Sequence, residues 1–293
     1  TFHVVLDEIY PWIASFEKLA DELENITKIT GLAEVTVKSI KGPLLQPADL
    51  QYEVDASLKN IALTATKLPG PLNIKSGQAN IIPDKITFID LQADLLDSSL
   101  TYSAVLQNFI SGKTNAEIII TNAELGSEVN TWLTEQIKVP KEYMFRTPLL
   151  ISRANAKWTR EELLDLQGDF SIKNGPIFHV DVMLNPDELV LRDLSLKNGE
   201  EEANIKLDLK KREIGVEFQG SLSKKTIDEI LQYKDVDHNA WIKGDIKFHI
   251  YMDSLTESVA TGNLDGGDFI FPWKLENPII LHSYSLSAAD KTI

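Results

Sequence analysis

The sequence contains no cysteine. This absence excludes disulfide bonds, thiolate-bound metal ions and catalysis by a cysteine nucleophile. It does not by itself indicate a compartment, because proteins without disulfides occur in oxidising and in reducing surroundings. Packing and hydrogen bonding must therefore stabilise whatever fold the chain adopts.

An excess of positive charge is also missing. The chain has 29 Lys and Arg residues against 44 Asp and Glu residues, which gives a formal net charge of −15 at pH 7. A nucleic-acid surface requires a basic stripe, so we expect no nucleic-acid partner. With 43% hydrophobic and 25% charged residues, the composition is typical of a folded, globular chain.

Long hydrophobic runs are absent too. No apolar run approaches the ~20 residues that a membrane-spanning helix requires. The chain shows no signal peptide, begins at Thr1 without a methionine, and ends at Ile293 just after a strand-like segment. We therefore expect a piece excised from a longer protein, with its targeting and anchoring segments outside this sequence.

Motifs for catalysis and for metal or cofactor binding are lacking as well. Asp235–Asn239 opens like a calcium-binding loop, but Ala240 replaces the required glycine and Ile246 stands where the bidentate glutamate belongs. Residues 220–223 (GSLS) lack the second glycine of a nucleophile elbow, and no Gly-rich phosphate loop occurs. The sequence predicts a protein that is not an enzyme and has no metal ion or cofactor.

Isolated polar and aromatic residues have ordinary structural explanations. His179 and His249 fall at the polar phase of predicted strands, which favours solvated surface residues over ligands. The acidic run Glu200–Glu202 predicts a solvated turn. The five tryptophans are predicted to be packing anchors, not platforms for sugar rings; they are Trp12, Trp132, Trp158, Trp241 and Trp273.

Alternating hydrophobicity is what the sequence does contain, most clearly between Glu188 and Tyr233. Apolar residues occupy alternate positions from Ala203 to Leu209 and again, after a charged turn, from Ile214 to Phe218. A period of two sends the two sets of side chains to opposite faces, so this stretch predicts a hairpin with one apolar and one polar face. Ser223 is then a candidate N-cap for a short helix.

Three helices are predicted, and their spacing suggests an internal repeat. The first begins near Pro11 and ends near Gly31, and the others cover residues 126–137 and 224–233. Three segments echo one another, each with an apolar strand start, a three-residue joint and a second strand: ITFIDLQADLLDSSLTYSAVL, LVLRDLSLKNGEEEANIKLDL and IILHSYSLSAAD. We predict one elongated repeat structure with approximate modules 1–125, 126–223 and 224–293, the last one truncated.

The strands pose a geometric problem. About fifteen alternating strands present one apolar face, and three short helices are too few to cover it. A soluble monomer does not tolerate an exposed apolar surface of that extent. A closed barrel, two sheets packed face to face, and a groove filled by something apolar all solve the problem, and the pattern does not choose among them.

Several segments resemble the AsmA-like family of bacterial envelope proteins. The strand pair LVLRDLSLKNGEEEANIKLDL running into FQGSLSKKTIDEIL is similar to that family, as are LDEIYPWI, LPGPL before a strand, and FPW late in the chain. The resemblance implies a taco-shaped, repeating β-groove that is anchored in the inner membrane, projects into the periplasm and carries phospholipid towards the outer membrane. It brings no catalytic motif, and the membrane anchor is missing from this chain.

The predicted fold is therefore mainly β, an elongated, curved antiparallel sheet that forms an apolar groove, with about three short helices. The predicted function is conduction of phospholipid or another acyl-chain lipid along that groove, in support of outer-membrane biogenesis. The alternative is a non-catalytic periplasmic scaffold or assembly factor with a closed β core. The residues predicted to face the lipid are Leu50, Tyr52, Val54, Leu100, Tyr102, Phe178, Val180, Val182, Ile205, Leu207, Val216, Phe218, Ile246, Phe248 and Ile250.

Overall fold

Within the described residues, the regular structure consists of eighteen strands and three α-helices. A computed structural model describes residues 1–14, 24–43, 50–109, 112–136, 144–160, 163–232, 240–270 and 280–292. The strands are β1 (Phe2–Val5), β2 (Ile26–Lys41), β3 (Gln51–Ala65), β4 (Leu72–Ile82), β5 (Lys85–Leu95), β6 (Ser98–Gln107), β7 (Asn115–Leu125), β8 (Leu149–Thr159), β9 (Leu164–Ile172), β10 (Ile177–Asn185), β11 (Glu188–Asn198), β12 (Glu201–Lys210), β13 (Glu213–Leu222), β14 (Trp241–Tyr251), β15 (Val259–Gly267), β16 (Phe269–Ile270), β17 (Ile280–Leu281) and β18 (Tyr284–Thr292). The helices are α1 (Leu6–Ala14), α2 (Ser127–Gln136) and α3 (Lys224–Ile230), with a 3₁₀ turn at Leu255–Glu257.

Strand order follows chain order almost throughout. Among the described residues, β1 to β15 and then β18 form one antiparallel sheet of 16 strands, and β16 pairs only with β17. The two ends of this order, β1 and β18, are not paired with each other, so the sheet is not closed. The predicted mainly β, antiparallel fold with three short helices is confirmed.

The chain divides into two compact units, each with its own core. Unit 1 comprises Thr1–Leu133 and Ile151–Glu161, and unit 2 comprises Thr134–Leu150 and Glu162–Ile293. The core of unit 1 is built from small and aliphatic side chains, including Ala56, Ile61 and Leu91. The core of unit 2 contains Ala203, Phe218, Ile246 and Leu264.

The hairpin predicted between residues 203 and 218 forms in unit 2. β12 and β13 pair antiparallel, with Leu207 opposite Val216 and Ile205 opposite Phe218. Directly opposed residues of an antiparallel pair lie on the same face of the sheet. The apolar sets of both strands therefore share one face, and the intervening charged residues share the other.

Bulges explain the three-residue joints in the first two of the three repeated segments. The pairing of β11 with β12 shifts register between Leu191 and Leu194, and that of β5 with β6 shifts between Phe88 and Leu91. A bulge adds one residue to a strand and thereby reverses which positions face the core. Apolar residues before and after each joint can therefore lie on one face, although one set has odd residue numbers and the other has even ones.

Glycine is required where neighbouring strands approach closely within the sheet of unit 2. Gly220 has φ +123°, a conformation that residues with a side chain rarely adopt. A Cβ atom at Gly220 would lie 2.1 Å from the carbonyl oxygen of Glu202. A side chain therefore does not fit at Gly220, because the paired backbones leave no room for it.

Carboxylates from neighbouring hairpin turns cap α2 and α3. In unit 1, Asp97 accepts hydrogen bonds from the backbone N–H of Glu128 (2.9 Å) and of Val129 (3.3 Å). In unit 2, Glu201 Oε2 accepts from the backbone N–H of Ser223 (3.0 Å) and from the hydroxyl of Thr226 (2.6 Å). Both helices therefore begin on a side chain from a hairpin that is adjacent in space but more than 20 residues away in the chain.

These contacts correct two predictions. Ser223 is the N-cap residue of α3, but its side chain makes no capping hydrogen bond, because Glu201 supplies the acceptor. The acidic run is not simply a solvated turn, since Glu201 is half-buried while Glu200 and Glu202 are exposed. Charge pattern alone could not separate the middle glutamate from its neighbours.

The first predicted helix is wrong at both ends. It begins at Leu6, not near Pro11, and residues 26–31 belong to β2. Ile26, which lies within the predicted helix, pairs with Ala65 of β3. Residues 15–23 lie outside the described ranges, as do Ile137 and Tyr233 at the predicted ends of the other helices.

Candidate functional site: the apolar face of the sheet

The apolar face of unit 2 has two inner rows, of which the first is buried and the second is buried at Phe218 and Ile246 and half-buried elsewhere. Cross-strand pairing joins Phe178, Leu196 and Ala203 into one row and Val180, Leu194, Ile205, Phe218 and Ile246 into the next. Phe178 is 3% exposed and Ile246 is 4% exposed. These rows serve as the core of the unit, which explains why aromatic and aliphatic side chains occupy them.

Two outer rows on the same face are more open. The first joins Val182, Leu191, Leu207, Val216, Phe248 and Ala260, and the second joins Leu184, Leu189, Leu209, Ile214 and Ile250. Most of these side chains are only half-buried, and Leu184 is 36% exposed. Large apolar side chains therefore remain accessible along the outer half of the face.

Aromatic stacking closes the inner end of this face. The ring of Phe178 stacks on Phe170 and on Phe145, with centroid separations of 5.6 Å and 5.4 Å. Phe145 forms a β-bridge with Leu231, just beyond the end of α3. The neighbouring Arg146 fixes this crossing segment, because its backbone N–H donates to Ile230 O at 2.7 Å and its Nε to Leu231 O at 3.0 Å.

The hairpin turns at the outer end carry exposed apolar side chains and paired charges. Met252 is 57% exposed and Leu255 is 61% exposed. In the adjacent turn, Arg212 Nη1 donates a hydrogen bond to Asp253 Oδ2 at 2.7 Å. The outer end of the face therefore has apolar groups at its rim and no strong excess of positive charge.

The predicted residues of unit 1 also share a face, with one exception. Tyr52 and Val54 lie on β3, where Val54 is opposite Ile81, and Leu100 and Tyr102 lie on β6. Burial raises the pKa of Tyr102, and burial together with the charge of Asp84 raises that of Tyr52. Leu50 precedes β3 and belongs to no strand.

All ten predicted residues of unit 2 lie on its apolar face. They extend from Phe178 on β10 to Ile250 on β14, and register places them in the rows described above. The sequence did not reveal the difference between the buried inner rows and the half-buried outer rows. Alternation identifies the face on which a residue lies. How deeply the residue is buried depends in addition on α3 and on the segment at Phe145 and Arg146, which lie at one end of the strands.

Ion pairs between strands cover much of the opposite, polar face. Arg192 contacts both Asp165 (3.1 Å) and Asp181 (2.7 Å), and these carboxylates raise its pKa although burial opposes the change. His179 Nδ1 lies 2.6 Å from Asp169 Oδ1, and His249 Nε2 lies 3.5 Å from Glu213 Oε2. Both histidines are half-buried partners in cross-strand pairs, so the prediction of freely solvated side chains is only partly right.

The tryptophan prediction is only partly right for two of the five residues. Trp158 is 42% exposed and Trp241 is 43% exposed, so a large part of each side chain is open although more than half of it is covered. The side chains of Trp12 and Trp273 lie outside the described part of the chain. A hydrophobic residue at the polar phase of a strand, such as Trp241 beside Lys243, was the signal that could have identified exposure.

The described residues contain no group of three His, Asp or Glu side chains positioned to bind a metal ion. Over the same ranges, no helix is both long enough and apolar enough to cross a membrane. The candidate site is a surface defined by packing and exposure.

Comparisons with known proteins identify no relative. No protein-family model, no curated protein and no solved structure matches this chain, and its resemblance to AsmA-like proteins stays a hypothesis.

Proposed function

We propose that the chain binds the acyl chains of phospholipid along the apolar face of its sheet, as a lipid-conducting segment of a longer envelope protein. The observation that carries the proposal is the continuity of half-buried apolar rows across successive strands in unit 2. These rows offer an elongated contact surface without a polar interruption.

The length of a row suits an acyl chain. From β9 to β15 the face spans seven strands, which at about 4.8 Å per step corresponds to roughly 30 Å. One leaflet of a bilayer core is about 15 Å thick, half of the whole core. A lipid tail can therefore lie across several strands and still have apolar surface ahead of it.

The accessible half of the face is the favoured position for the tail. Burying apolar surface contributes about 25 cal/mol per Å², and the outer rows retain surface that a tail could cover. Within the described ranges the only other sheet is the β16–β17 pair, whose strands have two residues each. That pair is too small to serve as the second layer of a β-sandwich.

The cellular setting proposed here follows from the AsmA-like resemblance. It places the longer protein in the periplasm, with an anchor in the inner membrane and a role in outer-membrane biogenesis. The partners of this chain are then a phospholipid and, through segments beyond it, a membrane. The alternative scaffold with a closed β core is less favoured, because the sheet is open between β1 and β18.

Native mass spectrometry of the gently purified chain tests lipid binding directly. We expect mass additions that correspond to phospholipid and that disappear when the protein is unfolded. A fluorescent phospholipid added to delipidated protein should give a saturable signal. Protein that is lipid-free after gentle purification and does not take up the probe contradicts the proposal.

A pair of variants on β13 tests which face is involved. Val216→Glu places a carboxylate in an outer apolar row, and Gln219→Glu places the same group on the exposed polar face of the same strand. A charge among acyl contacts must be desolvated, so Val216→Glu should lower phospholipid occupancy at least about tenfold. Gln219→Glu should leave occupancy unchanged.

Melting temperatures separate a binding effect from unfolding. Because Val216 is only half-buried, its new carboxylate can reach water in the empty protein, and the variant should remain folded. A folded Val216→Glu protein with normal lipid occupancy contradicts binding on this face. So does a Gln219→Glu protein that loses its lipid while keeping its melting temperature.

A further inference from the structure

An exposed aromatic platform lies on the polar face of unit 2, opposite the proposed lipid surface. Trp241 shares this face with Lys243 and Asp245 at alternate positions of β14, and it pairs directly with Gly267 of β15. A Cβ atom at Gly267 would lie 2.6 Å from Trp241 Nε1, so the indole covers the site where a side chain would stand. Gly267 is buried, while 43% of Trp241 is exposed.

Hydrogen-bonding side chains surround this ring. Register places Lys243 opposite Asp265, Asp265 opposite Ser285, and Asp245 opposite Asn263. All five of these residues are exposed. Together with Trp241 they line a cavity of about 460 Å³, which is within the range of small-ligand sites.

These polar groups differ from those elsewhere on the polar face. Glu217 pairs with both Lys206 and Lys247, and Arg192 pairs with both Asp165 and Asp181. Within the described ranges, by contrast, the side chains around Trp241 show neither a salt bridge nor a hydrogen bond, even though Lys243 faces Asp265 across the sheet. Their donors and acceptors are available to a ligand.

We propose that this cavity binds a neutral carbohydrate, with one sugar ring stacked on Trp241. A pyranose has a face of C–H groups, which suits the negative face of an indole, and a rim of hydroxyls. Each hydroxyl both donates and accepts hydrogen bonds. Lys243 and Asn263 supply donors, Asp245 and Asp265 supply acceptors, and the Ser285 hydroxyl supplies both.

The same constellation does not suit charged small ligands. Asp245 and Asp265 outnumber Lys243, so an anion would meet net repulsion. A quaternary ammonium ion makes no hydrogen bonds and prefers a cage of several aromatic rings. Tyr284 cannot complete such a cage, because its ring covers Gly266, which lies on the opposite face of the sheet from Gly267.

Saturation-transfer NMR of the whole chain tests this site with defined probes: maltotriose, triacetylchitotriose, lactose and choline chloride. We expect transfer to ring protons of at least one saccharide, accompanied by a change in indole fluorescence. Trp241→Ala should weaken that binding about tenfold, because it removes the stacking surface. Asp265→Ala should weaken it several-fold and remain folded, since that side chain is exposed and makes no intramolecular hydrogen bond or ion pair that would be lost.

Trp158→Ala is the matched control, because Trp158 is almost equally exposed but lies on β8. It should leave saccharide binding unchanged, and melting temperatures should show that all three variants are folded. The proposal is overturned if no saccharide binds, if only choline binds, or if neither Trp241→Ala nor Asp265→Ala weakens saccharide binding. Equal loss in the Trp158→Ala protein also overturns it.

Discussion

At the scale of single residues, the glycines inside strands are the least replaceable positions of unit 2. Gly220, Gly244 and Gly262 all have positive φ angles on three successive strands. At each of them, a Cβ atom would lie within 2.2 Å of a carbonyl oxygen on the neighbouring strand. A side chain there would separate two hydrogen-bonded strands, because it could not move aside without moving backbone.

Gly220→Ala should therefore destabilise the protein by at least about 2 kcal/mol, from the unfavourable φ and the clash together. Gly199→Ala is the control, since Gly199 also has a positive φ, of +62°, but has no atom within 4 Å of the added Cβ. Its cost should be only about 1 kcal/mol. Urea unfolding measures both, and equal losses would show that backbone conformation alone accounts for the effect.

At the scale of elements, a hairpin carboxylate determines where each of two helices begins. α3 has seven residues, too few for an isolated helix to be stable in water. Glu201 holds its first turn by accepting hydrogen bonds from Ser223 and Thr226. Asp97 does the same for α2, and Gly126 leaves room for it, since a Cβ atom there would lie 2.2 Å from the Asp97 carboxylate.

These caps should make part of the stability depend on pH. Burial raises the pKa of Glu201, but the hydrogen bonds from Ser223 and Thr226 outweigh it and the net pKa is lowered. A carboxyl with a lowered pKa stabilises the fold while it is ionised. Its contribution is therefore complete above the ordinary glutamate value of about 4.3 and is lost as the pH falls through the lower folded value.

Glu201→Gln should reduce the unfolding free energy by about 1 kcal/mol at neutral pH. The difference from the wild-type protein should shrink as the pH is lowered from about 7 to about 3, because the wild-type carboxyl then becomes neutral too. Denaturant unfolding at several pH values measures this difference. Glu200→Gln is the control, since Glu200 is exposed, and a pH-independent loss in Glu201→Gln would contradict the capping role.

At the scale of the whole molecule, the sequence predicts faces well and burial poorly. Strict alternation from Ala203 to Leu209 was enough to assign the apolar side of the β12–β13 hairpin, because a period of two has one structural meaning in a strand. In the sequence, the bulge between Leu191 and Leu194 was visible only because the apolar residues switch from odd to even positions there. The cap by Glu201 was not visible, because it joins residues that are 22 and 25 positions apart.

For the candidate lipid site as well, the sequence predicted which face the side chains lie on but not how deeply they are buried. Leu207 and Phe248 lie on the apolar face that their alternation predicts, but no sequence pattern predicted the contact of Phe145 with Phe178 at the inner end. That closure depends on the β-bridge between Phe145 and Leu231, two residues that are 86 positions apart in the chain. No local pattern encodes such a contact.

The chain-ordered sheet determines how the molecule should respond to mechanical force. Almost every strand is hydrogen-bonded to the strands that precede and follow it in sequence, so tension applied at the two chain ends loads the outermost ladders first. Rows of hydrogen bonds then open one after another, as in a zipper, and are not sheared all at once. Because the chain has no native cysteine, thiol handles can be attached at its ends without competition. Optical-tweezers pulling should show a series of small extension steps at low force, and a single large rupture would mean that the strands are mechanically coupled beyond their neighbours.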